Sequence, residues 1–163
     1  MKFGTGRGMD RDQRKRRLLV IASGGGHWVQ MRRLRPAFEA FEVAYVSIHA
    51  DYAEELDGHR FYTVPDFTRM DLTKLLILVP NLISILFKER PDVVITTGSA
   101  PGLVCLALAK VFTRARTIWI DSIANCERMS SSGRQARFVA DEWLTQWPHI
   151  AKPGGPNYWG AVL

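Results

Sequence analysis

Three consecutive glycines followed by a histidine are the part of the sequence best suited to bind a ligand and move a proton. They are Gly24, Gly25, Gly26 and His27, and they follow an apolar run that ends at Ser23. Glycine lets the backbone approach a ligand closely, and free amides at the start of a helix favour phosphate or carboxylate groups. His27 falls in the first turn of that helix, where a neutral imidazole can accept a proton. The same residues also fit a plain turn whose histidine only caps or packs.

Two further segments place small and polar residues after apolar runs. In the first of them, Ser99 offers a hydroxyl and Gly102 opens the amides of the next helix, although a tight strand-to-helix turn would use the same residues. The other covers residues 120–134, where polar side chains stand out in an apolar chain, among them Ser122, Asn125 and Glu127. We expect these side chains to face the same cleft as the glycines, while residues 130–132 also fit a helix cap.

The elements that must position these loops alternate between strands and helices. β-branched runs predict strands, and apolar residues at helical spacing predict helices between them. The predicted strands cover residues 18–23, 43–48, 61–64, 93–97, 117–120 and 143–147. The predicted helices cover residues 28–38, 72–87 and 103–112. This alternation predicts an α/β fold with a doubly wound, mainly parallel, Rossmann-like sheet, in which the polar segments meet beyond the carboxyl ends of the strands.

One predicted helix, LTKLLILVPNLISILF, is apolar nearly all round. Asp71 is its predicted N-cap, and Pro80 is expected to interrupt it. Its 16 residues fall short of the roughly 20 that cross a bilayer. A helix that packs on one face of a sheet needs only one apolar stripe. We therefore expect the surplus apolar surface to contact a membrane interface or a partner protein.

The positive charge is concentrated at the amino terminus. The chain has 163 residues, which suits one domain, and a formal net charge of +6. Residues 1–17 hold seven basic and two acidic side chains, whereas the remainder holds 15 and 14. We expect a disordered basic arm over residues 1–17 and a single domain over residues 18–163. The arm fits attraction to anionic lipid or a merely solvated tail, and nucleic acid is disfavoured because the body has no basic stripe.

A dinucleotide-binding fingerprint is only partly present. The pattern G-x-G-x-x-G needs a glycine where the chain has Val29, although Asp51 supplies an acidic residue after the second strand. A single-domain Rossmann-type protein that binds NAD(P) or a similar nucleotide is therefore the alternative function. Scattered histidines and two cysteines, Cys105 and Cys126, give neither a metal-ligand spacing nor a disulfide framework. We expect no metal site, and a reducing cytosol as the setting.

Four motifs, in order, resemble one family. SGGGHWVQMRRL, VVITTGSAPGLVCLALAK, TIWIDSIANCERMSSSGR and DEWLTQWPHIA, with YWG near the end, are similar to the PssD-type polysaccharide proteins. They also resemble the related membrane-anchor subunit of the dolichol-linked N-acetylglucosamine transferase. The likeness covers residues 18–163. More distantly, GGGH is similar to the first glycine loop of the MurG-type lipid-linked transferases.

The resemblance implies that the chain is the amino-terminal half of a split GT-B glycosyltransferase. It would bind a lipid-pyrophosphate-linked acceptor at the cytoplasmic face of the membrane and recruit a small partner chain that binds the UDP-sugar. The anchor subunit of that family has a transmembrane helix where this chain has its basic arm, so we expect peripheral attachment.

Transfer of N-acetylglucosamine or glucuronic acid by such an enzyme is expected to need no metal and no cofactor in this subunit. His27 is the first candidate base, with Glu127 and Asp121 as carboxylate rivals. By the same resemblance, the acceptor would contact Gly24, Gly25, Gly26, Ser99, Gly102, Ser122 and Asn125.

Overall fold

A seven-stranded parallel sheet forms the centre of the computed structural model, which describes residues 14–66 and 72–162. The strands are β1 (Arg17–Ile21), β2 (Glu42–Ser47), β3 (Arg60–Thr63), β4 (Val93–Thr96), β5 (Arg116–Ile120), β6 (Glu142–Thr145) and β7 (Asn157–Tyr158). Their order across the sheet is β3-β2-β1-β4-β5-β6-β7, and every neighbouring pair is parallel. The predicted doubly wound, Rossmann-like α/β fold is confirmed.

Helices cover both faces of the sheet. They are α1 (Gly26–Leu34), α2 (Leu75–Glu89), α3 (Ala100–Phe112) and α4 (Ser131–Ala136), with 3-10 turns at Arg35–Phe38, Ala50–Leu56 and Leu72–Lys74. Alternate residues of β1 feed two separate cores. Leu19 and Ile21 pack with α2 and α3, whereas Leu18 and Val20 pack with α1. Because successive side chains of a strand point to opposite faces, one apolar run can serve both layers.

The first strand begins one residue before the predicted domain boundary. Arg17 lies in β1, and its amide donates to a carboxylate oxygen of Asp92 at 2.8 Å. Arg14 forms an ion pair with the same carboxylate at 3.6 Å. A carboxylate ahead of β4 therefore contacts Arg14 and Arg17 of the predicted arm, and the bounds of the arm and the domain stay a prediction. Residues 1–13 of the predicted arm lie outside the described residues.

Helix α2 differs from its prediction at its start and at its proline. A 3-10 turn occupies Leu72–Lys74, the α-helix begins at Leu75, and Pro80 lies inside it without ending it. The predicted N-cap, Asp71, falls outside the described residues. One stripe of α2 is buried, at Leu78, Leu82, Ile85 and Leu86. Opposite this stripe, Leu76 is 80% exposed and Phe87 is 56% exposed, so the helix does carry more apolar surface than its sheet contact uses.

Candidate functional site

Two glycine-containing loops meet where the strand order reverses. Ligands of open parallel sheets bind at this point, beyond the carboxyl ends of the strands. The first loop follows β1 and the second follows β4, and these two strands are neighbours in the sheet. The Thr97 hydroxyl donates to the backbone carbonyl of His27 at 2.8 Å, which joins the loops directly. The prediction that these segments converge therefore holds for the two glycine loops.

The His27 ring is fixed in one tautomer by the second loop. Its Nδ1 lies 2.7 Å from the carbonyl oxygen of Thr97. A carbonyl oxygen can only accept, so Nδ1 carries the proton and donates. In a neutral imidazole Nε2 is then unprotonated and can accept a proton from a ligand. The arrangement gives His27 the geometry of a base whose other nitrogen is anchored by the fold.

Glycine at position 98 makes room for that ring. A Cβ added to Gly98 would lie 2.5 Å from Cε1 of His27, and the backbone φ of 122° is one that side-chain-bearing residues rarely adopt. The next residue, Ser99, has φ 78° and ψ 163°, in a region used almost only by glycine. Its hydroxyl is buried with no hydrogen-bond partner among the described residues. Strain and an unsatisfied hydroxyl at one residue are typical of functional loops.

Gly102 has a packing reason to be glycine. An added Cβ would lie 2.1 Å from the hydroxyl oxygen of Thr96, because α3 crosses β4 closely there. This contact supports the plain interpretation of that loop as a tight strand-to-helix turn. The amides of Ala100 and Gly102 nevertheless precede the first intrahelical bond of α3, which Leu103 donates to Ser99 at 3.2 Å. Donors for a ligand and close packing are therefore compatible at this turn.

Two aromatic side chains beside the first loop were not predicted from the sequence. A Cβ on Gly24 would lie 2.4 Å from Nε2 of His49, so glycine is needed for the imidazole to approach. The amide of Gly25 donates to the Tyr52 hydroxyl at 3.2 Å, and Tyr52 stacks on Trp28 with ring centroids 4.3 Å apart. The segment after β2 contains both His49 and Tyr52. The position of this segment directly after a predicted strand could have indicated that it lies at the site. From the sequence, however, only Asp51 of this segment was considered as a ligand-binding residue, and Asp51 is exposed.

Asp121 is buried and stabilises the third loop, which is residues 121–130 between β5 and α4. It is 2% exposed, and its two carboxylate oxygens accept four hydrogen bonds. The donors are Trp119 Nε1 at 3.2 Å, Asn125 Nδ2 at 3.2 Å, the Ser130 amide at 2.8 Å and the Ser130 hydroxyl at 2.6 Å. A carboxylate so satisfied has no lone pair directed at the cleft, so the geometry favours a structural role over that of a catalytic base.

Most of the other polar residues of the third loop form local hydrogen bonds, and one of them lines a cavity instead. Ser130 is the N-cap of α4 and accepts from the Gly133 amide, which confirms the capping interpretation. The side-chain amide of Asn125 donates to the Asp121 carboxylate, and the Ser122 hydroxyl accepts from the Ala124 amide at 3.3 Å. Glu127 is exposed and lines a cavity of about 700 Å³ with five cationic or imidazole side chains, Arg128, Arg134, Arg137, His149 and Lys152. No hydrogen bond joins Glu127 to either glycine loop within the described parts of the chain.

Metal ligands do not gather in this cleft. Across residues 14–66 and 72–162, no three histidine, cysteine, aspartate or glutamate side chains are arranged to hold an ion. The expectation of a metal-free site remains a prediction. The arrangement offers one anchored imidazole, free amides at the starts of α1 and α3, and a strained serine.

Proteins with the same fold include sugar-nucleotide enzymes. MurG from Acinetobacter baumannii superimposes with a TM-score of 0.68 at 11% identity, over 88% of this chain and 46% of MurG. UDP-N-acetylglucosamine 2-epimerase from Rickettsia bellii gives a TM-score of 0.61 at 16% identity, over 83% of this chain and 40% of the epimerase. The chain thus spans less than half of either protein. At these identities the likeness establishes the fold alone.

Sequence comparison identifies closer relatives. The UDP-N-acetylglucosamine transferase subunit ALG14 of Eremothecium gossypii is 25% identical over 193 aligned positions, covering 99% of this chain and 84% of that protein. The subunit of the same name from Mus musculus is 24% identical over 170 positions, covering 82% of this chain and 76% of that protein. The family model described as "Oligosaccharide biosynthesis protein Alg14 like" matches residues 59–162, which is more than half of the chain. The resemblance seen in the motifs is thereby confirmed, and the chain belongs to the Alg14-like family of oligosaccharide biosynthesis proteins.

Proposed function

We propose that this chain is the acceptor-binding subunit of a split glycosyltransferase. It would act in transfer of a sugar from a UDP-sugar to a lipid-pyrophosphate-linked saccharide. The family match carries this proposal, since both curated relatives are named UDP-N-acetylglucosamine transferase subunits. Those names favour N-acetylglucosamine over glucuronic acid as the transferred sugar. Both relatives are called subunits, which supports a donor half on a separate partner chain.

The chemistry assigned to this half is proton removal from the acceptor hydroxyl. As the acceptor oxygen forms a bond to the anomeric carbon, the bond from that carbon to the UDP oxygen breaks and UDP leaves. The acceptor proton passes to Nε2 of His27, whose Nδ1–H remains bonded to the Thr97 carbonyl. That carbonyl then faces the imidazolium and stabilises its positive charge.

The acceptor diphosphate fits the two helix starts. The amide of Gly26 at the start of α1 and those of Ala100 and Gly102 at the start of α3 precede the first intrahelical bonds and can donate to a ligand. Helix N-termini favour anions because their amides lack intrahelical partners. Ser122 stays a candidate contact of the acceptor. Asn125 is reassigned to support Asp121, because its amide nitrogen bonds to that carboxylate.

Membrane attachment is proposed to use the exposed apolar face of α2 and α3. This face includes Leu76 and Phe87 of α2 and Val111 and Phe112 of α3, with the two phenylalanine ring centroids 6.3 Å apart. Within residues 14–66 and 72–162, no helix is long and apolar enough to cross a bilayer. Apolar side chains on helices that lie along the interface, together with basic groups, support peripheral binding to an anionic surface.

Vesicle flotation tests the attachment. Leu76→Glu and Phe87→Glu should each reduce flotation with vesicles that contain phosphatidylglycerol, because a charge would enter the apolar interface. Ala53→Glu adds the same charge on the opposite face of the sheet and should float like the unchanged chain. Deletion of residues 1–13 measures how much the basic side chains of that segment contribute to flotation. Equal flotation of all these variants would show that another surface binds the membrane.

The carboxy-terminal segment is the proposed contact for the partner chain. The edge strand β7 has an unpaired side in the described structure, Trp159 is 65% exposed, and Tyr158 is also exposed. Exposed aromatic side chains at an open sheet edge are typical of protein interfaces. Trp159→Ala should therefore weaken capture of the partner.

Reconstitution tests the function as a whole. Co-purification should yield a small UDP-sugar-binding chain, and the pair should transfer N-acetylglucosamine to a polyprenyl-diphosphate-linked saccharide, whereas either chain alone should not. The alternative, a single-domain nucleotide-binding protein, is supported by the sheet order and the partial fingerprint at Gly24, Gly26 and Asp51. Tight NAD(P) binding by the isolated chain would establish that alternative and refute the transferase proposal.

A further inference from the structure

Two buried glutamines, one on α1 and one after β6, form hydrogen bonds with the backbone of the third loop. Gln30 lies on α1, one turn after His27, and both residues face the same side of that helix. Its Nε2 donates to the Asp121 carbonyl at 3.3 Å, and its Oε1 accepts from the Ile123 amide at 3.2 Å. One side chain therefore ties the helix that carries the candidate base to two backbone groups of the loop.

The second glutamine binds the same carbonyl from beyond β6. Nε2 of Gln146 donates to the Asp121 carbonyl at 2.8 Å, so this oxygen accepts from both glutamines. Oε1 of Gln146 accepts from the Val162 amide at 2.8 Å. Val162 is held a second time, because Arg33 of α1 donates to its carbonyl at 3.4 Å. Gln146 thus links the third loop to the last described residue of the chain.

These contacts form a continuous path between two regions of proposed function. It runs from the segment that contains Trp159 and Val162, through Gln146 and the Asp121 carbonyl, to Gln30 on α1. Both glutamines are nearly fully buried, and the loop they hold has no regular secondary structure of its own. A buried amide that loses its partner leaves an unsatisfied donor or acceptor, so a path of this kind tolerates few other arrangements.

We infer that Gln30 and Gln146 are positioning residues that set the third loop against His27, and that Gln146 makes this setting depend on the carboxy-terminal segment. The inference rests on the proposed function, because it assigns the loop to the acceptor. The side-chain amides of both glutamines bond to backbone groups of the chain, so their role does not need contact with the acceptor or the donor. Partner docking at Trp159 would act on acceptor binding through the Val162 amide and Gln146.

Two substitutions at Gln146 and one at Gln30 test the hydrogen bonds of the two side-chain amides. Gln146→Glu keeps an acceptor for the Val162 amide but replaces the donor to Asp121 by an oxygen that repels its carbonyl. Gln146→Leu removes both bonds. Gln30→Glu makes the corresponding change on α1, keeping the acceptor for Ile123. Gln135→Glu, on the exposed face of α4, is the matched control for charge and shape.

Two readouts decide the inference. In the isolated full chain, amide exchange at Ile123 and Asn125 should quicken about tenfold in Gln146→Glu and Gln30→Glu, with amides of β1 unchanged, since each variant loses a buried bond. In the reconstituted pair, the same variants should raise KM for the lipid-linked acceptor about tenfold, while KM for the UDP-sugar stays within twofold. Gln135→Glu should match the unchanged chain in both assays.

The possible results separate this inference from the proposed function. If Gln146→Glu behaves like the unchanged chain and only Gln146→Leu fails, Gln146 merely anchors the carboxy terminus and the inference is overturned. Faster exchange with an unaltered acceptor KM also overturns it. Should Gln146→Leu fail to fold, the two glutamate variants carry the test. If the unchanged pair transfers no sugar, the proposed function fails and the positioning role falls with it, while the exchange rates still report whether the loop is clamped.

Discussion

Replacing Asp121 by asparagine distinguishes a loop-holding carboxylate from a catalytic base. Asparagine has nearly the same shape, but one carboxylate oxygen becomes an amide group that can only donate. One oxygen of Asp121 accepts from Trp119 Nε1 and the Ser130 hydroxyl, and the other accepts from Asn125 Nδ2 and the Ser130 amide. Each oxygen thus faces at least one N–H that the backbone or a ring holds in place.

The number of hydrogen bonds that Asp121→Asn loses or weakens sets the expected change in the free energy of unfolding. Whichever way the new amide turns, it meets a fixed N–H and loses that bond, and the remaining bonds lose the negative charge that strengthens them. A hydrogen bond to a charged group contributes about 1.5–3 kcal/mol, so loss of one and weakening of others predicts a destabilisation of about 3–5 kcal/mol. Because Asp121 is buried, water cannot replace the lost partners.

Urea unfolding followed by tryptophan fluorescence measures this change. Asp57→Asn is the matched control, since Asp57 is exposed and has the left-handed φ of 47° that asparagine tolerates, and its effect should stay within about 0.5 kcal/mol. Asp121→Asn could instead leave the free energy of unfolding within about 1 kcal/mol of the unchanged chain and abolish transfer by the pair. In that case the structural assignment would be wrong, and Asp121 would be the candidate general base.

Three further outcomes are expected. His27→Gln in the reconstituted pair should lower kcat about 10²- to 10⁴-fold with little change in unfolding, and a loss below tenfold would exclude general-base catalysis by this residue. Gly24→Ala should destabilise the fold by about 1–3 kcal/mol because its Cβ would lie 2.4 Å from Nε2 of His49, and adding His49→Ala should recover most of the loss in urea unfolding. Burial raises the pKa of Asp141, but hydrogen bonds from Lys110 and Thr117 outweigh it and hold that pKa below its ordinary value. Its stabilisation is therefore complete above a pH of about 4 and is lost as the pH falls through the lowered pKa, so Asp141→Asn should flatten the acid side of the stability profile; an unchanged profile would contradict this.

Local chemistry explains why most of the fold was predictable. β-branched runs such as residues 93–97 and the glycines after them fix a strand and its turn almost independently of their surroundings. β7 was missed because two residues, Asn157 and Tyr158, carry no periodic signal and pair only when β6 is already in place. The contacts of Arg14 and Arg17 with Asp92 were missed for a similar reason, because Asp92 is distant in sequence.

The sequence by itself determined the strand and helix alternation, the glycine loops and the family motifs, because each of these is encoded by residues close together in the chain. Only the tertiary structure decided what the side chains in those loops do. Asp121 and Glu127 are equivalent carboxylates in sequence, yet one is buried among four donors and the other is exposed. His27 gains its tautomer from a carbonyl 70 residues away. Hydrogen bonds between distant segments set burial and proton position, and those contacts exist only once the sheet brings its carboxyl ends together.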